Sequence, residues 1–145
     1  MFITELNKKI DLQKLGGRRL KRVMVDMSCT LLHHGHVRLL QKAANLGQVI
    51  VALTTDDEIY AKKGYKPELS FEERKEILLS IKYVSEVIPS NWLLDDAYIA
   101  KNNIDILVHG DDNSNKISAC ELVIFPRTEG ISSTELRRRS NKLSF

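Results

Sequence analysis

Five apolar runs of strand length, separated by helix-patterned stretches, constrain this 145-residue chain more than any other feature. They lie at about Arg22 to Met27, Gln48 to Leu53, Val84 to Ile88, Asp105 to His109 and Leu122 to Pro126. The second is apolar almost without interruption, as a parallel strand covered on both faces should be. A helix is expected from about Gly35 to Asn45, with Leu46-Gly47 as its exit. Thr54 to Leu69 reads as a short helix and a loop long enough to act as a lid. Ser70-Phe71-Glu72-Glu73 is a capping box that opens a helix to about Lys82, and Ser132-Ser133-Thr134-Glu135 is a second. Asp95 caps a helix that reaches about Asn102. Pro89-Ser90 is expected to stop the third strand. Ile3, Leu6, Ile10 and Leu15 share one face at helical spacing, with Gly16-Gly17 as the stop. Strand and helix alternate throughout, which predicts a mainly parallel sheet with right-handed crossovers. The predicted fold is a single Rossmann-like α/β domain with a five-stranded parallel sheet and an extra N-terminal helix. Residues 1–21 form the helical extension and 22–145 the domain proper.

In such sheets ligands bind outside the carboxyl ends of the strands, at the switch point. Three segments fall at those ends: His33-His34-Gly35-His36, His109-Gly110-Asp111-Asp112, and Arg127 to Thr134. The first lies in a tight loop that opens a helix. Free backbone N–H groups and the helix dipole favour an anion there. Glycine lets the backbone come close to a ligand, and imidazoles add donors that follow charge developing on a phosphate. The last segment opens a second helix with Ser and Thr hydroxyls and should hold another phosphate, with Arg127 or Arg137 supplying charge. Lys62 and Lys63 lie on the expected lid and can close over the same anion. A zinc reading of His33 and His36 with Cys29 or His109 fits no standard structural spacing.

Composition narrows the partners. Hydrophobic residues make up 43% and charged residues 28%, as in a soluble globular protein. No apolar run approaches membrane-spanning length, and the first residues lack the pattern of a secretory signal. Two cysteines, Cys29 and Cys120, read as reduced packing residues, with Cys29 open to modification if exposed. A cytoplasmic protein with no membrane partner is expected. The net charge of +3 hides basic ends on an acidic body. Low aromatic content, 6%, and the lack of a basic stripe in the middle argue against nucleic acid.

His33-His34-Gly35-His36 and the late Ile131-Ser132-Ser133-Thr134-Glu135-Leu136-Arg137 together resemble the signatures of the nucleotidyltransferase superfamily whose motif is His-x-Gly-His. Within it the chain looks most like glycerol-3-phosphate cytidylyltransferases and their relatives. The likeness runs from about Arg22 to Arg139 and includes Leu31-Leu32, Tyr83 to Pro89, Gly110-Asp111-Asp112 and Pro126 to Ser132. It implies a nucleotidyltransferase domain at 22–145 and transfer of CMP from CTP to a small phosphorylated polyol or a phosphonate, with release of pyrophosphate. Adenylyl transfer from ATP and a non-catalytic nucleotide-binding module are the alternatives. By the resemblance, His33 and His36 serve the α-phosphate, and Lys62 or Lys63 the transferred phosphate oxygens. Arg127 and the helix start at Ser132, Ser133 and Thr134 hold the β- and γ-phosphates. Met27, Ser28, Cys29, Gly35, His109, Gly110, Asp111, Asp112, Thr128, Gly130, Ile131 and Arg137 complete the nucleotide site, and Trp92 lines the acceptor pocket. Mg²⁺ travels with CTP, and a homodimer is implied. Met27-Ser28-Cys29-Thr30 stands where the family carries Gly-Thr-Phe-Asp, so an altered loop and an altered triphosphate contact are expected. Ser85 replaces the usual Asp near the acceptor or dimer side.

Overall fold

The computed structural model describes residues 19–110 and 115–141; the expected N-terminal helix, Asp111 and Asp112 lie outside them. In chain order the elements are β1 (Arg22–Met27), α1 (His34–Ala44), β2 (Gln48–Thr54), α2 (Asp56–Lys63), α3 (Phe71–Leu79), β3 (Val84–Ser90), α4 (Asp96–Lys101), β4 (Ile106–Gly110), β5 (Glu121–Phe125) and α5 (Ser133–Asn141). The strands form one parallel sheet in the order β3-β2-β1-β4-β5. The order steps outward from β1 to β3, then returns to β4 on the other side of β1. The switch point therefore lies between β1 and β4.

Side-chain alternation along the strands builds two core layers. Val23 and Val25 of β1 join Ile106 and Val108 of β4, with Leu40 and Ala43 of α1 and Leu78 of α3. Met24 of β1 and Leu107 of β4 face the other way, against Leu94 and Ile99. So α1 and α3 cover one face and α4 the other, the doubly wound arrangement that right-handed crossovers require. No helix among the described residues is long and apolar enough to cross a membrane.

Two boundaries differ from expectation. β3 continues through Pro89 to Ser90, which pair with Leu53 and Thr54. It is an edge strand, where a residue without an N–H is tolerated. α3 ends at Leu79 rather than near Lys82, because the Ser80 hydroxyl donates to the Ile77 carbonyl at 2.6 Å and closes the last turn.

Candidate active site

A cavity of about 390 Å³ opens at the carboxyl edge of the sheet. His33, Gly35 and His36 enter it at the start of α1. The two histidines form an unusual capping box. His33 Nδ1 accepts the Gly35 N–H at 3.1 Å, and His36 Nδ1 accepts the His33 N–H at 3.2 Å. A nitrogen that accepts carries no proton, so each neutral ring holds its hydrogen on Nε2. Burial, then the neighbouring His33 and Arg127, push the His36 pKa down to about 3. Burial, His34 and Arg127 lower that of His33. Both rings are therefore neutral Nε2–H donors at neutral pH.

Gly35 is dictated by space rather than by its φ. A Cβ there would lie 2.9 Å from His33 Cε1 and Nδ1 and 3.3 Å from Ile131 Cγ2. The second helix start completes the anion site. Ser132 Oγ caps α5 by accepting from the Glu135 N–H at 2.9 Å. Ser133 Oγ donates to the Leu31 carbonyl at 3.0 Å and accepts from the Leu31 N–H at 3.3 Å, stapling α5 to the β1–α1 loop. Two helix N-termini thus open on one cavity, which Arg127, Thr128, Ile131 and Thr134 also line.

Of the other residues singled out from the sequence, Met27, Ser28, Cys29, Lys63, Trp92, His109, Gly110 and Arg137 line the cavity; Lys62, Gly130 and Ser85 do not. Lys63 sets its ammonium 5.3 Å from the Trp92 ring centroid. Lys62, the neighbouring position on α2, is exposed. Arg137 lines the cavity and also pairs with a carboxylate of the protein itself. Its guanidinium grips Glu68 at 2.6 and 2.8 Å and Thr30 Oγ1 at 2.6 Å, and lies 4.9 Å from the Tyr65 ring centroid. It pins the α2–α3 loop, because a bidentate carboxylate within reach outcompetes water for the guanidinium. Thr30, in the place of an expected Asp, supplies the acceptor for that arginine. Cys29 adopts φ +48, a left-handed conformation uncommon outside glycine. It is buried, not exposed, and burial raises its pKa to about 12, so its thiol stays protonated and unreactive.

Sequence reasoning passes over several residues. Arg74 is 1% exposed and donates to Leu69 O, Ser28 O, Thr54 O and Asp56 Oδ1 at 2.6 to 3.1 Å. It ties the β1–α1 loop, the end of β2 and the start of α2 together beneath the cavity. In Glu72-Glu73-Arg74-Lys75 nothing separates it from a solvated helix position. Arg38 and Lys42 of α1 also line the cavity. Their i, i+4 spacing on the face beside Leu39 is the available signal. Asp26 lies inside an apolar run and reads as no more than part of a strand.

The family model described as cytidylyltransferase-like matches residues 30–139. The chain belongs to the cytidylyltransferase-like family. It is 42% identical to the glycerol-3-phosphate cytidylyltransferase of Bacillus subtilis over 81% of this chain and 95% of that one. Against the Staphylococcus aureus enzyme of the same name the identity is 38%, over 82% and 94%. The ethanolamine-phosphate cytidylyltransferase of Mus musculus is 31% identical, over 83% of this chain and 33% of its own length. A lipopolysaccharide core biosynthesis protein of Thermoplasma volcanium shares the fold, with a TM-score of 0.65 at 19% identity over 76% of this chain and 99% of that one. Membership in the family covers both the histidine-bearing and the α5 segments of the cavity.

Proposed function

We propose that the protein transfers CMP from CTP to the phosphate or phosphonate of a small acceptor. An acceptor oxygen forms a new bond to the α-phosphorus, the bond from that phosphorus to the α–β bridging oxygen breaks, and pyrophosphate leaves. The observation that carries this reading is the pair of neutral Nε2–H donors, His33 and His36, set between two helix N-termini in one cavity. Such donors meet negative charge as it builds on the α-phosphate without themselves changing protonation. Arg127 and Lys63 would neutralise the phosphate oxygens, and the N–H groups at Ser132 to Thr134 would hold the β- and γ-phosphates. Catalysis is then positioning and charge stabilisation, with no covalent intermediate on the enzyme.

Among the described residues no three His, Cys, Asp or Glu groups cluster to hold a metal. In this reading Mg²⁺ arrives on the triphosphate oxygens, where it would neutralise charge on the leaving pyrophosphate. A cytoplasmic homodimer is part of the same reading. Leu122 and Ile124, 39% and 45% exposed on the edge strand β5, are apolar surface that a second copy could cover. Sedimentation should give twice the mass of 16.6 kDa; a monomer at all concentrations refutes the dimer.

The deciding assay is pyrophosphate release with Mg²⁺ and CTP or ATP against a panel of small phosphates and phosphonates. CTP-dependent release with at least one acceptor is expected. Release with ATP alone would replace the base assignment. CTP that raises the melting temperature without any release would make the protein a binding module.

A further inference from the structure

Three segments converge on the guanidinium of Arg137, which lies on α5 just over one turn past the Ser132 cap and lines the cavity. Glu68 comes from the α2–α3 loop and is not among the described lining residues. Its carboxylate accepts from Arg137 Nε at 2.6 Å and from Nη2 at 2.8 Å. Thr30 comes from the β1–α1 loop and is 4% exposed; its Oγ1 accepts from Nη2 at 2.6 Å. Arg137 Cζ lies 4.9 Å from the Tyr65 ring centroid, and Tyr65 and Thr30 both line the cavity. A guanidinium carries five N–H groups. These hydrogen bonds use the one on Nε and the two on Nη2, and none of them uses the two on Nη1.

An arginine that must find one orientation among many loses rotamer freedom when it binds an anion. Glu68 and Thr30 remove that freedom before a ligand arrives, which is preorganisation in the ordinary sense. Charge points to the ligand. Arg38, Lys42, Lys63 and Arg127 line the cavity beside Arg137, and Asp26 is the one carboxylate among its described lining residues. Such a cavity attracts a polyanion. The start of α5 opens on the same cavity, and Arg137 follows it on the same helix.

We propose that Glu68, with Thr30, is a positioning residue for Arg137, and that the guanidinium so held meets the β- and γ-phosphates of the nucleotide. The inference rests on the cytidylyl-transfer reading above and deepens it. The sign of the effect separates it from the opposite case. A carboxylate that orients the arginine strengthens triphosphate binding, whereas one that merely occupies the arginine in place of phosphate weakens it.

The test measures the affinity of the full chain for CTP and for CMP by calorimetry, with Mg²⁺ present. Glu68→Gln should weaken CTP about two- to tenfold, the cost of ordering one long side chain on binding. It should leave the affinity for CMP, which lacks both outer phosphates, in place. Arg137→Gln should weaken CTP about tenfold or more, as loss of a hydrogen bond between charged groups does. Adding Glu68→Gln to Arg137→Gln should then cost nothing further, because the first acts through the second. Thr30→Val should weaken CTP in the same sense, and Thr30→Ser, which keeps the hydroxyl, should bind CTP as wild type does. Tighter CTP binding in Glu68→Gln, equal losses for CTP and CMP, or losses that simply add in the double variant overturn the proposal. Wild-type protein that binds no CTP overturns the transfer reading and the proposal with it, whereas wild-type binding with unchanged affinity in Glu68→Gln overturns the proposal alone.

Discussion

Burial of the His36 ring has one consequence for stability, and the position of that ring another for turnover. Its Nδ1 accepts the His33 N–H and its pKa is pushed down to about 3 by burial, so the folded protein binds fewer protons than the unfolded chain between about pH 3 and the ordinary histidine pKa of 6.5. Stability therefore rises with pH across that window and is flat above it, with a slope that approaches at most about 1.4 kcal/mol per pH unit. Urea unfolding at pH 4.5 and 7 measures it, and His36→Gln should reduce the difference. The same variant should cut kcat by about 100-fold or more at pH 7.5 while circular dichroism stays native; activity near that of wild type would remove His36 from the mechanism. Gly35→Ala separates site from fold in another way. Alanine improves helix propensity by about 1 kcal/mol, yet its Cβ would stand 2.9 Å from the His33 ring. Turnover should fall at least tenfold by displacement of that ring, with a melting temperature within a few degrees of wild type.

At the scale of elements, the α2–α3 loop is held by one residue of α5. Arg137 spans Glu68, Tyr65 and Thr30, and its ion pair with Glu68 holds the Glu68 carboxyl below its usual range. Both partners are partly exposed, 24% and 43% in their side chains, so the pair contributes under about 1 kcal/mol to global stability. Its effect is local. Glu68→Ala should speed amide exchange through residues 64–70 and leave the urea midpoint nearly in place; unchanged exchange there would show that the loop needs no latch. The short helix and loop from Thr54 to Leu69 were legible as a polar stretch with Gly64 and Pro67. Their fastening was not, since Glu68 and Arg137 are 69 residues apart in sequence.

Across the whole molecule, Arg74 joins the ends of two strands, β1 and β2, to the start of α2 and the α2–α3 loop. Four hydrogen bonds come from a guanidinium that is 1% exposed, and its removal leaves the carbonyls of Leu69, Ser28 and Thr54 without that donor. Arg74→Met should cost about 3–5 kcal/mol, as unpairing buried polar groups does, and chemical denaturation would read it directly. A loss below about 1 kcal/mol would mean that water replaces the arginine.

The order of strands and helices was written in the chain locally. Apolar runs of strand length, the Ser70–Glu73 capping box and the caps at Asp95 and Ser132 each act through neighbours within a few residues. The Glu135 carboxylate turns to Arg138 and Arg139 and leaves the second expected box half made. The parallel sheet follows once crossovers are right-handed. The motif histidines and the α5 start were equally legible, because a helix N-terminus advertises its chemistry in consecutive residues. Tertiary structure alone decided the rest. It set Lys63 rather than Lys62 on the cavity, gave Arg137 a carboxylate partner on the α2–α3 loop, carried β3 through Pro89 at an open edge, and set Asp26 beside His109. The Arg137–Glu68 and Asp26–His109 pairs depend on which side chain a remote strand or loop brings within hydrogen-bond reach. The Lys63 and Pro89 outcomes depend on which helix position and which sheet edge the fold leaves open, and neighbours in sequence specify none of these.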